Sequence, residues 1–319
     1  MIEGLLCGHG FGSNNKAIDS HDAITAHKDG AWLHFDMNNP NTRTSIEALP
    51  INVPPLVVDA LLAEETRPRL SQFEQGFVLN LRGVNLNDNA DPEDMVSIRL
   101  WCDGKNIVTA RIRRLKAVDD IRQSYAHNNG PKSASDFIIT LSSSLILRME
   151  PTIDKMDETI ALIEEHFLED QKMASGESLL TLRRRAVVLK RYMIPQRDAL
   201  QLLHSDPTGV LATHHKQKLG EVLNRLSIYL ENLDALKERA QIIKEEIAAH
   251  ANELMNKNMY MLSIIAAIFL PLGFLTGLLG INIAGIPGAE YPYAFFVFSA
   301  MLVVIVISQI LLFKYKNWL

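Results

Sequence analysis

Two stretches near the C-terminal end decide how this chain is read: Met259–Gly280, MYMLSIIAAIFLPLGFLTGLLG, and Tyr291–Phe313, YPYAFFVFSAMLVVIVISQILLF. Neither holds a charged side chain. At about 1.5 Å per residue, each is long enough as a helix to cross a hydrocarbon core of roughly 30 Å. A helix buried in a soluble core is the competing explanation, but such helices seldom exceed about 14 residues without a charge and seldom come as a terminal pair. Two transmembrane spans are expected, 258–280 and 291–313, joined by a connection at 281–290.

The flanking charges orient the pair. Lys257 precedes the first span, Lys314 and Lys316 follow the second, and Ile281–Glu290 contains no Lys or Arg. Cytoplasmic flanks collect basic residues, so both termini are expected inside, with a basic tail at 314–319. The opening MIEGLLCGHGFGSNN has no basic n-region and no long apolar run, so nothing marks it as a secretory signal. Cys7 and Cys102 are the only cysteines and lack CxxC spacing, which reads as two unpaired thiols. A net charge of −5 argues against a nucleic-acid partner. The absence of GxxxxGK[ST], GxSxG and HExxH leaves ATP-driven pumping and hydrolysis without support; no catalytic residue and no resident cofactor are assigned.

Upstream of the spans, 1–131 mixes short β-type runs with turns, giving an α/β domain. AWLHFDM, FEQGFVLNLRGVNL and MVSIRLWCDGKNIVTARI are the runs, and DGKN inside the last is a hairpin signal. Helical pieces are expected at Asn52–Glu64 and Ala117–His127. From 132 to 257 the texture is helical, with helices near Ser135–Glu169 and Glu177–Leu203 broken by MASG and HSDPTG. Past Gly209 there is no Pro before Pro271, so one helix can run from about Val210 into the first span, roughly 100 Å. Along it Leu219, Leu226, Leu233, Ala240, Ile247 and Leu254 recur every seven residues, with Val222, Tyr229, Leu236 and Ile243 three further on. That is a coiled-coil seam, able to pair within the chain or between chains.

The two spans differ in texture. The first carries Ala266, Ala267, Gly273, Thr276 and Gly277, which let backbones approach closely; the second is bulky and aliphatic, fit for lipid. Two helices cannot by themselves enclose a polar path, so conduction needs several copies. Stepping back from Gly277 by three or four residues gives Gly273, Leu270, Ala266, Leu262 or Ser263, Met259 and Asn256 as an inward line. Such an apolar lumen holds an ion weakly and closes by dewetting. The bland alternative is that these small residues only pack two helices together. In the connection, Asn282 amides ringed about a symmetry axis would accept hydrogen bonds from the water of a hydrated divalent cation, with Glu290 the only charge nearby. A turn residue is the plainer reading of an Asn in so Gly- and Pro-rich a segment.

Gly280, Ile281 and Asn282, GIN at the end of the first of two C-terminal spans, resemble the GxN signature of the CorA metal-ion transporters. FLPLGFLTGLLGINIAGIPG, ETRPRLSQFEQG (Glu65–Gly76), KRYMIPQRDAL (Lys190–Leu200) and the terminal KNWL look most like the family's zinc-transporting ZntB branch. The magnesium-type YGMN is replaced by Leu279, Gly280, Ile281 and Asn282, which departs from magnesium selectivity. The resemblance implies an α+β membrane protein: a funnel-shaped homopentamer with an αβα cytoplasmic domain, a long stalk helix and two C-terminal transmembrane helices, in a bacterial inner membrane. It implies divalent cation transport, zinc import first, with a magnesium or cobalt channel of the CorA type as the alternative; the transported ion is Zn2+, with Mg2+, Co2+, Ni2+ and Cd2+ as alternatives. Gly280, Ile281 and Asn282 would form the selectivity filter, Asn282 touching metal through bound water; Gly277, Gly273, Leu270, Ala266, Leu262, Met259 and Asn256 would line the pore; Glu290 would sit at the outer mouth. Zinc-branch members are thought to use a proton gradient, yet neither span has an ionisable side chain inside it to relay protons. A membrane-anchored, non-conducting sensor or scaffold is the reading from another class.

Two features tempt a metal. His214 and His215 adjoin near the start of the stalk, but adjacent helical residues point about 100° apart, so the expectation is solvated histidines. Asp154, Asp157, Glu158, Glu164, Glu165, Glu169 and Asp170 form an acidic face, read equally as a cation attractor or as a solvated surface.

Overall fold

A computed structural model describes residues 2–12, 16–64, 66–169, 176–205, 209–281, 286, 288 and 290–316. Its strands are β1 (Leu5–Gly10), β2 (Ala31–Asp36), β3 (Arg69–Phe73), β4 (Gly76–Gly83), β5 (Val96–Cys102) and β6 (Ile107–Arg111). Its helices are α1 (His21–Ala26), α2 (Thr42–Glu47), α3 (Pro55–Leu61), α4 (Lys116–Ala126), α5 (Ala134–Leu147), α6 (Glu150–Glu169), α7 (Gly176–His204), α8 (Thr213–Leu279) and α9 (Ala294–Tyr315). The chain forms two compact units, Met1–Lys244 and Glu245–Leu319, and α8 belongs to both.

The first unit is built on one sheet of order β1-β2-β6-β5-β4-β3. Neighbours run antiparallel except β2 and β6, which pair in parallel with Trp32 opposite Ile107. The DGKN hairpin is the β5–β6 turn. Asp103 Oδ1 accepts from the Lys105 amide at 2.8 Å, and Gly104 takes φ +94°, the left-handed region that glycine enters without a Cβ clash.

Alternation along the strands sends side chains to both faces, and both faces are covered. On one, Leu33, Phe35, Val78, Trp101 and Val108 pack with Val57, Val58 and Leu61 of α3. On the other, the Trp32 ring lies 4.7 Å from Phe137 of α5 and 5.9 Å from Tyr125 of α4. Each such buried side chain contributes about 1.5–3 kcal/mol, which makes this sheet the stable base of the unit. Some polar groups inside it are partnered: Trp32 Nε1 donates to Thr109 Oγ1 at 2.8 Å, and His34 Nδ1 lies 2.8 Å from the same oxygen. Burial pushes the His34 pKa down to about 3, so its ring is neutral at pH 7. Arg99 is fully buried and donates from Nη2 to the carbonyls of Ala63 and Glu64, both at 2.8 Å. Cys7 and Cys102 are free thiols, each pushed up to about 12 chiefly by burial.

In the helical half the structure corrects one boundary. The single helix expected over Ser135–Glu169 is two, α5 and α6, parted at Arg148 and Met149. Pro151 is the cause: its ring would clash with the Leu147 carbonyl in a continuous helix, whereas in the first turn of a new helix its missing N–H costs nothing. The MASG break lies largely outside the described residues. Leu219, Val222, Leu226, Tyr229, Leu233, Leu236, Ala240 and Ile243 of α8 are buried within the first unit, so the seam pairs inside the chain. Ile247 is only half-buried and Leu254 exposed, so the seam ends earlier than its heptads. Lys190 pairs with Asp234, and Arg239 holds Asp157 at 2.7 Å and Glu164 at 3.0 Å, joining α7 and α6 to α8. Two members of the acidic face are thereby neutralised; the Glu169 side chain and Asp170 lie outside the described residues.

Candidate pore span and its connection

In the second unit, each span leaves one stripe half-buried. On α8 it is Ile264, Ile268, Pro271, Leu272 and Leu275; on α9 it is Ala294, Phe298, Ser299, Leu302, Ile305, Val306 and Gln309, continuing to buried Phe313. Spacings of three and four put each set on one helical face. Gln309 Nε2 donates to the Ala267 carbonyl at 3.4 Å. Pro271 explains this bond. It lies inside α8 without an N–H, so the carbonyl four residues earlier, at Ala267, has no helical donor and takes one from the neighbouring helix.

The line read from the sequence as pore-facing lies elsewhere. At about 100° per residue, Met259, Leu262, Ala266, Leu270, Gly273 and Gly277 centre about 180° round α8 from the half-buried stripe, with Asn256 at the edge of the set. All seven are exposed, Leu270 at 72%. A Cβ added at Gly273 or Gly277 would meet nothing within 4 Å among the described residues, so their packing does not demand glycine there.

The polar side chains of this span are satisfied locally. Ser263 Oγ donates to the Met259 carbonyl at 2.9 Å, and Thr276 Oγ1 to the Leu272 carbonyl at 2.9 Å. Such back-bonding lets a hydroxyl sit in an apolar environment without a partner helix. At the end of the helix Gly280 donates to the Thr276 carbonyl at 2.9 Å, and a Cβ there would lie 2.8 Å from that same oxygen. Backbone yields less readily than a side chain, so any larger residue at the first position of GIN must shift this helix end. Ile281 and Glu290 are exposed. Asn282 lies outside the described residues.

The adjacent histidines differ from expectation. His215 is buried rather than solvated, with Nε2 3.0 Å from Asp136 Oδ1 of α5, while His214 is exposed. Their ring centroids are 3.8 Å apart, because side-chain torsions undo the divergence of the two Cβ vectors. Sequence reading missed Gln309 and Asp136. A lone Gln in an apolar helix beside a proline-containing partner was a usable signal for the first; nothing local signals the second, 79 residues from His215.

A model of the family described as CorA-like Mg2+ transporter protein matches residues 27–315. The chain is 34% identical over 302 residues to the zinc transport protein ZntB of Pectobacterium carotovorum subsp. carotovorum, spanning 95% of this chain and 91% of that one. It is 35% identical over 294 residues to the divalent cation transporter CmaX of Pseudomonas aeruginosa, spanning 92% and 88%. The solved full-length CmaX structure superposes with a TM-score of 0.86 at 33% identity, covering 100% of this chain and 99% of that one. An αβ domain, a long helix shared with the first span, and a second span packed against it thus recur over the whole length, and this chain belongs to the CorA-like Mg2+ transporter family.

Proposed function

We propose that the protein carries divalent cations across a membrane, zinc foremost, as a funnel-shaped homopentamer whose first spans line a central pore. The observation that carries this reading is the exposed line from Met259 to Gly277, set opposite the stripe that faces α9. An anchor needs only an apolar surface. A face that sets Ala266, Gly273 and Gly277 among larger apolar residues, with glycines not required by packing among the described residues, suits close approach by other copies and a lumen between them. The ZntB names of relatives with coverage above 90% favour zinc over magnesium, as does Leu279 and Ile281 standing where the magnesium-type motif has Tyr and Met.

In this reading Gly280 lets the helix end tightly, and the Asn282 amides ring the outer mouth, accepting hydrogen bonds from water on the ion rather than replacing that water. Glu290 raises the local cation concentration there. Both termini are cytoplasmic, in a membrane of the bacterial inner type. The test is zinc influx into proteoliposomes loaded with a zinc-sensitive dye. Asn282→Ala abolishes influx if the filter assignment holds, and undiminished influx defeats it. Competition by Mg2+ or Co2+ ranks the ions, acceleration by an imposed pH gradient marks proton coupling, and no flux of any ion would favour the anchored sensor.

A further inference from the structure

Asp136, His214 and His215 each present one potential ligand atom, all within 4.8 Å of one another. Asp136 stands in the first turn of α5, where its amide donates to the Ser133 cap at 3.1 Å, and the histidines stand in the first turn of α8. Ser135 Oγ donates to the Val210 carbonyl at 2.9 Å, tying the start of α5 to the segment that leads into α8. The two turns are therefore held together by contacts that do not involve the three side chains.

His215 is more than nine-tenths buried. Nε2 meets the Asp136 carboxylate, and Nδ1 has no partner among the described residues. With Nδ1 unpartnered, neither tautomer is favoured by a second hydrogen bond, and shifting the ring proton to Nδ1 leaves the Nε2 lone pair facing the carboxylate. His214 brings a second imidazole from the solvent side, leaving open positions for water. We propose that these three residues form a divalent-metal site, separate from the pore span. Its donor set is two imidazole nitrogens and one carboxylate oxygen. That chemistry selects Zn2+, Co2+ or Ni2+ over Mg2+, which prefers oxygen ligands and retains its water. A metal held there staples α5 to the first turn of α8, the helix that continues into the first span. The site depends only on residues of the first unit and not on whether the spans conduct.

Co2+ is the probe, because its visible absorption reports nitrogen coordination, with the full-length chain in detergent. Titration of the wild type with Co2+ gives a band that Zn2+ displaces and a large excess of Mg2+ does not. His214→Gln, at an exposed position, removes the band and lowers bound metal by one ion per chain. Asp136→Asn keeps the backbone cap and weakens binding at least about tenfold. Identical titrations of wild type and His214→Gln would overturn the proposal, and displacement by Mg2+ as readily as by Zn2+ would overturn its metal class.

Discussion

Gly273→Leu separates a pore-lining role from a packing role. An added Cβ at this exposed position meets nothing within 4 Å among the described residues, so the branch point of the new side chain introduces no clash. Glycine in a helix interior costs about 0.8–1 kcal/mol relative to better helix formers, so folding is unchanged or gains by about that amount. If the line faces a lumen shared by several copies, each copy adds four carbon atoms to the same level of an already apolar passage. An apolar constriction gates by dewetting, so the flux should fall at least about tenfold, for a barrier increase of about 1.4 kcal/mol or more. The assay pairs zinc influx in proteoliposomes with chemical unfolding of the same preparation. Ala300→Leu, exposed on α9, is the control, and its influx should match the wild type. Wild-type influx in Gly273→Leu, with folding intact, would refute the assignment of this face.

Three further outcomes follow from the geometry. Gln309→Leu leaves the Ala267 carbonyl without its donor and should destabilise the paired spans by about 0.6–1.7 kcal/mol, read by unfolding in detergent; the same loss should disappear in a Pro271→Ala background, where the helix supplies its own N–H. Gly76→Ala should cost at least about 2 kcal/mol, since φ is +108° and the new Cβ would lie 2.0 Å from the Cys102 carbonyl oxygen; a melting temperature equal to wild type would contradict this. His34 has a folded pKa of about 3 against an ordinary 6.5, so the unfolded chain binds more protons between those values. Its contribution is fully present above pH 6.5 and is lost as pH falls, by roughly 3 kcal/mol at pH 4.5, and His34→Leu should flatten that part of the stability profile.

What could be read in advance was what repeats or lies close along the chain. The spans declare themselves because lipid tolerates no charge over their whole length. The α8 seam shows because burial against neighbours imposes a seven-residue rhythm, and the β5–β6 hairpin shows because DGKN carries its own turn chemistry. Contacts between distant segments left no such mark. The parallel pairing of β2 with β6 depends on the sheet as a whole, and the Asp136–His215 bond depends on two helix starts meeting. The continuous helix expected over 135–169 erred because its apolar spacing persists through Pro151, which redirects the backbone without disturbing the pattern. Of the candidate site, the exposed line followed from helix period alone. The Gln309 bond needed the structure to show which face of α9 meets Ala267.

The placement of the aromatic residues has a practical consequence for spectroscopy. Trp32 and Trp101 are both fully buried, on opposite faces of the same sheet, and no tryptophan falls between residues 258 and 313. Apart from Trp318 near the C-terminus, intrinsic emission therefore comes from the sheet and is silent about the spans. A red shift on adding denaturant measures solvent entry into the two layers of the first unit. A single tryptophan introduced on the exposed face of α8 would then give the membrane segment its own signal.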